Sequence, residues 1–410
     1  MTARGPNGCL TPPGQSRKAE AMSARDDAEP QTRLIHTRAE RLGRVTVNPP
    51  VERASTVLFR TEAQLYGPKP TYGRMGLTVH RELEAAMCIL EGAKHTRLAS
   101  NGLQACALAI ASVVEAGGHF LFTDSAYGPT ARFCEKRLKA MGVEAERFDP
   151  RMGAGIERLF RDNTQAILVE SPGSLTFEIS DLPAMAQVAK ARGIRIVCDN
   201  TWGAGLHYKP LALGADLSVQ ALTKYVVGHS DAFGGAVMTN ELSLANKVAN
   251  CSEDWGIGLA PDDAYLAVRG IRSLTTRLKA HEAAGLELAQ WLEGRPEVAS
   301  VIHPALPSHP DHALWKRDFT GACGLFSFVL KDYPAGALER FFEALSLFGM
   351  GFSWGGFESL IIPCDDQLTR SETCWTKDKP GQLMRVHVGL EAVSDLKADL
   401  EAGFAALSAG

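Results

Sequence analysis

From about residue 80 to residue 240 the chain alternates two kinds of segment. Short apolar runs with no polar interruption fall at 120–123, 166–170, 194–199 and 217–222. Runs of that length and continuity suit strands buried on both faces. Amphipathic stretches lie between them. Over 102–115, Leu103, Ala107, Ile110 and Val114 share one helical face. A second helix is predicted over 181–192, with Asp181 as N-cap, Pro183 in its first turn and Gly193 as its stop. Strand and helix alternating at this spacing imply an α/β fold with a mainly parallel sheet covered on both sides. Beyond residue 260 the pattern changes to a long helical region over 262–292, followed by the strands and helices of a second, smaller α/β domain.

In open parallel sheets, ligands gather outside the carboxyl ends of the strands. The polar residues of this chain stand at those ends: Asp124 to Tyr127, Glu170 to Pro172, Asp199 to Trp202, and Thr223 with Lys224. Their convergence weighs more than any one of them.

Bulk properties narrow the field. A chain of 410 residues exceeds one ordinary core. Its 43 Lys plus Arg against 47 Asp plus Glu give a net charge of −4, which offers no basic footprint for nucleic acid. No apolar run approaches a membrane span. The first thirty or so residues, rich in Pro, Gly, Ser, Arg and Asp, read as a disordered extension over 1–31, with Met22 as an alternative start. They lack a signal peptide's apolar region, and a cytoplasmic location is expected. The nine cysteines show no Cys-x-x-Cys spacing and the eleven histidines no ligand spacing, so reduced buried thiols and no metal are expected.

Lys224 follows a buried apolar run, an awkward place for an ammonium. Alone it reads as a lysine snorkelling at a strand end. Asp199, closing the run before it, reads alone as a turn cap. Together, a carboxylate to hold a pyridine nitrogen protonated and a lysine to bind an aldehyde are the two protein groups that pyridoxal 5'-phosphate (PLP) requires. Ser100-Asn101-Gly102-Leu103 opens a helix whose free N–H groups suit a phosphate, or an ordinary cap. Tyr127 can lie over a flat ring, or be a plain half-buried tyrosine. Arg385, alternating along a probable strand, offers a fork for a carboxylate or a structural ion pair. A nicotinamide-binding fold is disfavoured by the absence of Gly-x-Gly-x-x-Gly after the first strand.

From about residue 32 to its C-terminus the chain resembles the Cys/Met metabolism family of PLP-dependent enzymes, in its cystathionine β-lyase branch. The resemblance is carried by Thr71-Tyr72-Gly73-Arg74, Ser100-Asn101-Gly102-Leu103, Ser125-Ala126-Tyr127, Asp199-Asn200-Thr201-Trp202, Thr223-Lys224-Tyr225, Gly228-His229-Ser230-Asp231, the run from Ser353-Trp354 to Leu360, and Arg385 within Arg-Val-His-Val-Gly-Leu-Glu. It implies an aspartate-aminotransferase-like fold, with an arm over 32–76, a PLP-binding domain over 77–265 and a C-terminal domain over 266–410.

It implies roles as well. Lys224 carries PLP as a Schiff base, and Asp199 pairs with the ring nitrogen. Tyr127 stacks on the ring; Gly102, Leu103 and Thr223 hold the phosphate. Tyr72 and Arg74 reach the site of a neighbouring subunit in a homotetramer built as a dimer of dimers. Lys224, Tyr127 and Tyr72 form the catalytic set, and Arg385, Ser353 and Trp354 bind the substrate. The implied reaction is β-elimination from L-cystathionine, giving homocysteine, pyruvate and ammonia. Alternatives on the same scaffold are lysis of cysteine, cystine or cysteine conjugates, and γ-elimination or γ-replacement; a non-catalytic PLP-binding regulator has nothing in the sequence to favour it. Trp354 favours the β-lyase branch. Two departures from many relatives stand out: Ala221 where a serine is usual two residues before Thr223, and Met75-Gly76-Leu77-Thr78 where Asn-Pro-Thr often follows the Tyr-x-Arg segment.

Overall fold

The computed structural model describes residues 28–37, 46–67, 71–373, 375 and 381–407. Most of the expected N-terminal extension, Met22 included, lies outside the described residues; Pro30–His36 form a short helix that buries Leu34.

The larger sheet has the order β1-β7-β6-β5-β4-β2-β3. Its strands are β1 (His95–Ala99), β2 (His119–Thr123), β3 (Glu144–Phe148), β4 (Thr164–Glu170), β5 (Arg195–Asp199), β6 (Leu217–Gln220) and β7 (Gly235–Thr239). Strands β2 to β6 pair in parallel, and only β7 runs against its neighbours β1 and β6. The four apolar runs correspond to β2, β4, β5 and β6. Strand β3 escapes that pattern because it is a sheet edge, where charged residues blunt an open ladder.

Three expected boundaries move. The run at 217–222 stops being a strand at Gln220, and the chain turns: the Lys224 N–H donates to Ala221 O at 3.2 Å and the Gly228 N–H to Lys224 O at 2.8 Å. The long helix of 262–292 is two helices, Pro261–Ile271 and Leu274–Glu293. The carbonyl of Gly270, which would continue the ladder, is taken by the Arg277 guanidinium at 2.8 Å and the Ser273 N–H at 3.1 Å. The helix over 102–115 is shorter too, Gly102–Ala111. The helix Leu182–Ala191 is capped by Asp181, whose carboxylate accepts the Ala184 N–H at 3.2 Å, and Gly193 follows in the left-handed region at φ 68°.

The smaller sheet, β10-β11-β9-β8, is antiparallel throughout: β8 (Val298–Ile302), β9 (Leu325–Leu330), β10 (Leu360–Pro363) and β11 (Gln382–His387). Its own core includes Phe326, Phe328, Phe341, Met384, Val386 and Phe404. Polar clasps join it to the larger sheet. The Trp202 indole N–H donates to Leu325 O at 3.0 Å, the Ser327 hydroxyl to Leu175 O at 2.8 Å, and the Gly324 N–H to the Tyr225 oxygen at 3.1 Å. The buried Asp124 carboxylate accepts the N–H groups of Ser371, Glu372 and Thr373 at 3.0–3.1 Å and the Arg147 guanidinium at 2.9 Å. Of the nine cysteines, the seven described are free thiols. Among the described residues no helix is long and apolar enough to cross a membrane, and no group of His, Cys, Asp and Glu could hold a metal.

Candidate active site

The turn after β6 brings Lys224 back over the carboxyl ends of β4 and β5. Its Nζ lies 2.7 Å from the Ser353 hydroxyl and 5.2 Å from the Trp354 ring centre. Burial, with help from the Arg385 cation, lowers its pKa to about 8, against the pull of Asp199. A neutral amine, the form that attacks an aldehyde, is therefore within reach near neutral pH.

Asp199 closes β5 and faces the same cavity. Its Oδ1 accepts both the N–H (3.0 Å) and the hydroxyl (2.6 Å) of Thr201, and its Oδ2 accepts the Cys106 thiol at 3.4 Å. Burial raises its pKa while these donors and the Lys224 cation oppose the rise. A carboxylate short of water gains most from a cation placed directly against it.

The helix starting at Gly102 points its N-terminus into the cavity. The Asn101 side chain caps it by accepting the Gln104 N–H at 2.8 Å, which leaves the Gly102 and Leu103 N–H groups for an anion. Ala221 presses against this corner: a Cβ on Gly102 would stand 2.4 Å from the Ala221 Cβ. Glycine is required there by close approach. The Thr223 hydroxyl, also lining the cavity, exchanges hydrogen bonds with Gly234, accepting its N–H at 3.1 Å and donating to its O at 3.3 Å.

Opposite stands a turn of the smaller sheet. Ser353 has φ 84° and Gly355 φ 85°, and a Cβ on Gly355 would sit 2.9 Å from the backbone of Lys224. The strained serine keeps its hydroxyl on the amine and its carbonyl on Arg385, whose Nη2 donates to it at 3.0 Å. The His387 Nε2 accepts the Gly355 N–H at 3.1 Å; burial lowers that ring's pKa to about 3 and so keeps it neutral.

Lys224, Asp199, Tyr127, Gly102, Leu103, Thr223, Arg385, Ser353 and Trp354 thus line one cavity of about 500 Å³. Tyr72 and Arg74 do not. Tyr72 is 46% exposed, and Arg74 lies 6.0 Å from its ring and beside Gly258, away from the cavity. The cavity also takes in Glu170, Cys106, Thr201, Gln367, Phe233 and Phe352. Sequence position placed Glu170 and Thr201 at strand ends without a role. Phe233 and Phe352 lie on loops, and Gln367 ends the single 3-10 turn Asp365–Gln367, so no periodicity marks them.

These groups fit PLP on their own chemistry. The cavity holds an amine of lowered pKa, a carboxylate that lacks a full counter-cation, a pair of free N–H groups at a helix start, and a tyrosine ring on the open side. That donor set is the one a pyridinium, an aldehyde and a phosphate on a single ring require. The site is that of a PLP-dependent enzyme, and comparison with known proteins agrees. The model of the Cys/Met metabolism PLP-dependent enzyme family matches residues 31–405, and the chain belongs to that family. A putative cystathionine beta-lyase of Rhizobium johnstonii is 46% identical over 378 residues, spanning 88% of this chain and 92% of the relative. The cystathionine beta-lyase of Salmonella typhimurium is 42% identical over 398 residues, 92% and 99% of the two chains. The crystal structure of metB from Corynebacterium glutamicum superposes with a TM-score of 0.85 at 29% identity, covering 93% of this chain and 98% of that one. The fold is accordingly that of the aspartate-aminotransferase-like PLP enzymes.

Proposed function

We propose that this chain is a carbon–sulfur β-lyase that converts L-cystathionine and water to homocysteine, pyruvate and ammonia. The observation that carries the reading is the triangle of Lys224, Ser353 and Arg385. One serine touches the amine through its hydroxyl and the guanidinium through its carbonyl. An α-carboxylate held by the Arg385 fork therefore presents its Cα to the Lys224 amine. The relatives named cystathionine beta-lyase support the choice of substrate.

Bound PLP supplies an aldehyde for an amine and an electron-withdrawing ring that accepts the electron pair left at Cα. Lys224 is the residue that would bond to the aldehyde until the substrate amine displaces it. Freed, the Lys224 amine removes the Cα proton, and as an ammonium it returns a proton to the departing sulfur. Asp199 would hold positive charge at the ring nitrogen. Tyr127 would cover the ring, and the Gly102 and Leu103 N–H groups with Thr223 would hold the phosphate. The Trp354 ring centre stands 5.2 Å from the amine, where its face favours the ammonium that forms once the Cα proton is taken.

The assembly belongs to the same reading. Tyr72 and Arg74, outside their own chain's cavity, would complete the site of a neighbouring subunit in a homotetramer assembled from dimers. The parts are an arm over 32–76, a cofactor domain over 77–265 and a C-terminal domain over 266–410, and the setting is cytoplasmic. Keto-acid analysis tests the reaction: pyruvate is expected from L-cystathionine, whereas 2-oxobutyrate would mean γ-elimination and overturn it.

A further inference from the structure

Two adjacent strands end in a carboxyl group each. Glu170 closes β4, Asp199 closes β5, and the two are register partners in a parallel pair. Register partners lie about 4.8 Å apart with their side chains on one face, here the face toward the cavity, which both residues line. Two carboxylates placed so near each other, with little water between them, do not both ionise readily.

Their surroundings decide which keeps the charge. Asp199 receives three donors, two from Thr201 and one from Cys106, and has the Lys224 cation nearby. Glu170 receives one, the Tyr127 N–H, which donates to Oε2 at 2.6 Å. Burial and the Asp199 charge both push the Glu170 carboxyl well above the usual range, against that bond and the more distant Arg370. The Tyr127 bond matters because of where the residue sits. Tyr127 begins the short helix Gly128–Arg132 with no side-chain cap, and the residue is 47% exposed. The turn is also tied by the Ala126 N–H on Thr123 O at 2.9 Å, the Ser174 N–H on Ser125 O at 2.7 Å and the Ala131 N–H on Tyr127 O at 2.9 Å, but the Tyr127 N–H itself is held by Glu170.

We propose that Glu170 is a positioning residue: a neutral carboxyl whose carbonyl oxygen holds the Tyr127 backbone and so sets the ring of Tyr127 over the cofactor, leaving Asp199 the only anionic carboxylate of the cavity. The proposal rests on the PLP reading of the site. It separates shape from charge at Glu170. A carboxamide, which keeps a carbonyl oxygen at the same reach, serves as well as the acid, and a methyl group does not.

The test uses the full chain as Glu170→Gln and Glu170→Ala. PLP affinity is measured by titrating the apoprotein, ring tilt by the visible circular dichroism of the holoprotein, and turnover by kcat and KM. Glu170→Gln is expected to keep PLP affinity and the visible dichroic band close to those of the unmodified protein. Glu170→Ala should lose much of the band and bind PLP roughly tenfold more weakly, the scale of one lost hydrogen bond. An effect of Glu170→Gln as large as that of Glu170→Ala would mean the charge is what matters, and would overturn the proposal. An unchanged dichroic band in Glu170→Ala would overturn it from the other side. Should Glu170→Ala not fold, Glu170→Gln still decides, since loss of its band alone refutes the neutral carboxyl. Failure of the unmodified protein to take up PLP would instead bring down the reading of the site.

Discussion

The Lys224 amine and the Ser353 hydroxyl meet at 2.7 Å across two separately built sheets. One residue belongs to the turn after β6, the other to a left-handed turn before β10, and the contact exists only when the two sheets are seated on each other.

The depressed pKa of Lys224 gives a pH signature in the apoprotein. Capture of an aldehyde needs the neutral amine, so the rate of PLP uptake should rise with pH, bend near pH 8 and then level off. Linkage has the matching sign. The unfolded chain binds the extra proton between about pH 8 and the ordinary lysine value of 10.5, so this group makes the apoprotein more stable as pH rises through that window. Arg385→Met removes a cation that lowers the lysine pKa and should move the bend to higher pH. Stopped-flow absorbance reads it.

Lys224→Ala should abolish pyruvate formation and remove the cofactor's visible colour after dialysis. Retained pyruvate production would exclude Lys224 as the base.

Arg385→Ala should act chiefly on substrate capture. Loss of a buried fork to a carboxylate costs about 2–3 kcal/mol, a rise in KM of roughly a hundredfold. A matching KM with a lowered kcat would point to a structural role through Ser353.

Asp124 anchors the segment after Arg370, and its donors hold its pKa below the usual aspartate value despite burial. The stability this gives is present above pH 3.8 and is lost as pH falls through the lower folded value. Asp124→Asn should lower Tm at neutral pH, by about 3 kcal/mol of stability, and flatten the acid limb of the stability profile. Thermal melts between pH 3 and 7 check both.

Mixed subunits test the shared site. Arg74→Ala and Lys224→Ala proteins, each inactive alone, should regain part of the activity when unfolded and refolded together, because one arm and one lysine remain intact in some interfaces. No recovery would place Arg74 outside the neighbouring site.

The buried strands and the residues at their carboxyl ends were legible in the sequence because burial on both faces leaves an unbroken apolar run and a sharp polar stop. That pattern marks β2, β4, β5 and β6, and with them Asp199, Tyr127 and the approach to Lys224. It is silent on β3, whose edge position favours charge, and on β7, which reverses direction without any sequence mark. The break at Arg272 was hidden because its cause, the Arg277 guanidinium on the Gly270 carbonyl, is a side chain intruding on a backbone ladder. Glu170 was visible as a strand end, but its meaning depends on the register that sets it beside Asp199. Phe233 and Phe352 enter the cavity on loops and Gln367 at the end of a three-residue helical turn, where only tertiary placement gives them a part.

The close approach of Gly102 to Ala221 has a consequence for which vitamer the protein accepts. With no side chain on one position and a single methyl on the other, the helix start and the lysine turn are locked at one separation, as the jaws of a calliper. If the Gly102 and Leu103 N–H groups hold a phosphate as proposed, a ring ending in a bare alcohol would leave them without their anion. On that reading, discrimination between phosphorylated and unphosphorylated pyridoxal would rest on how closely two of the smallest residues of the cavity approach each other.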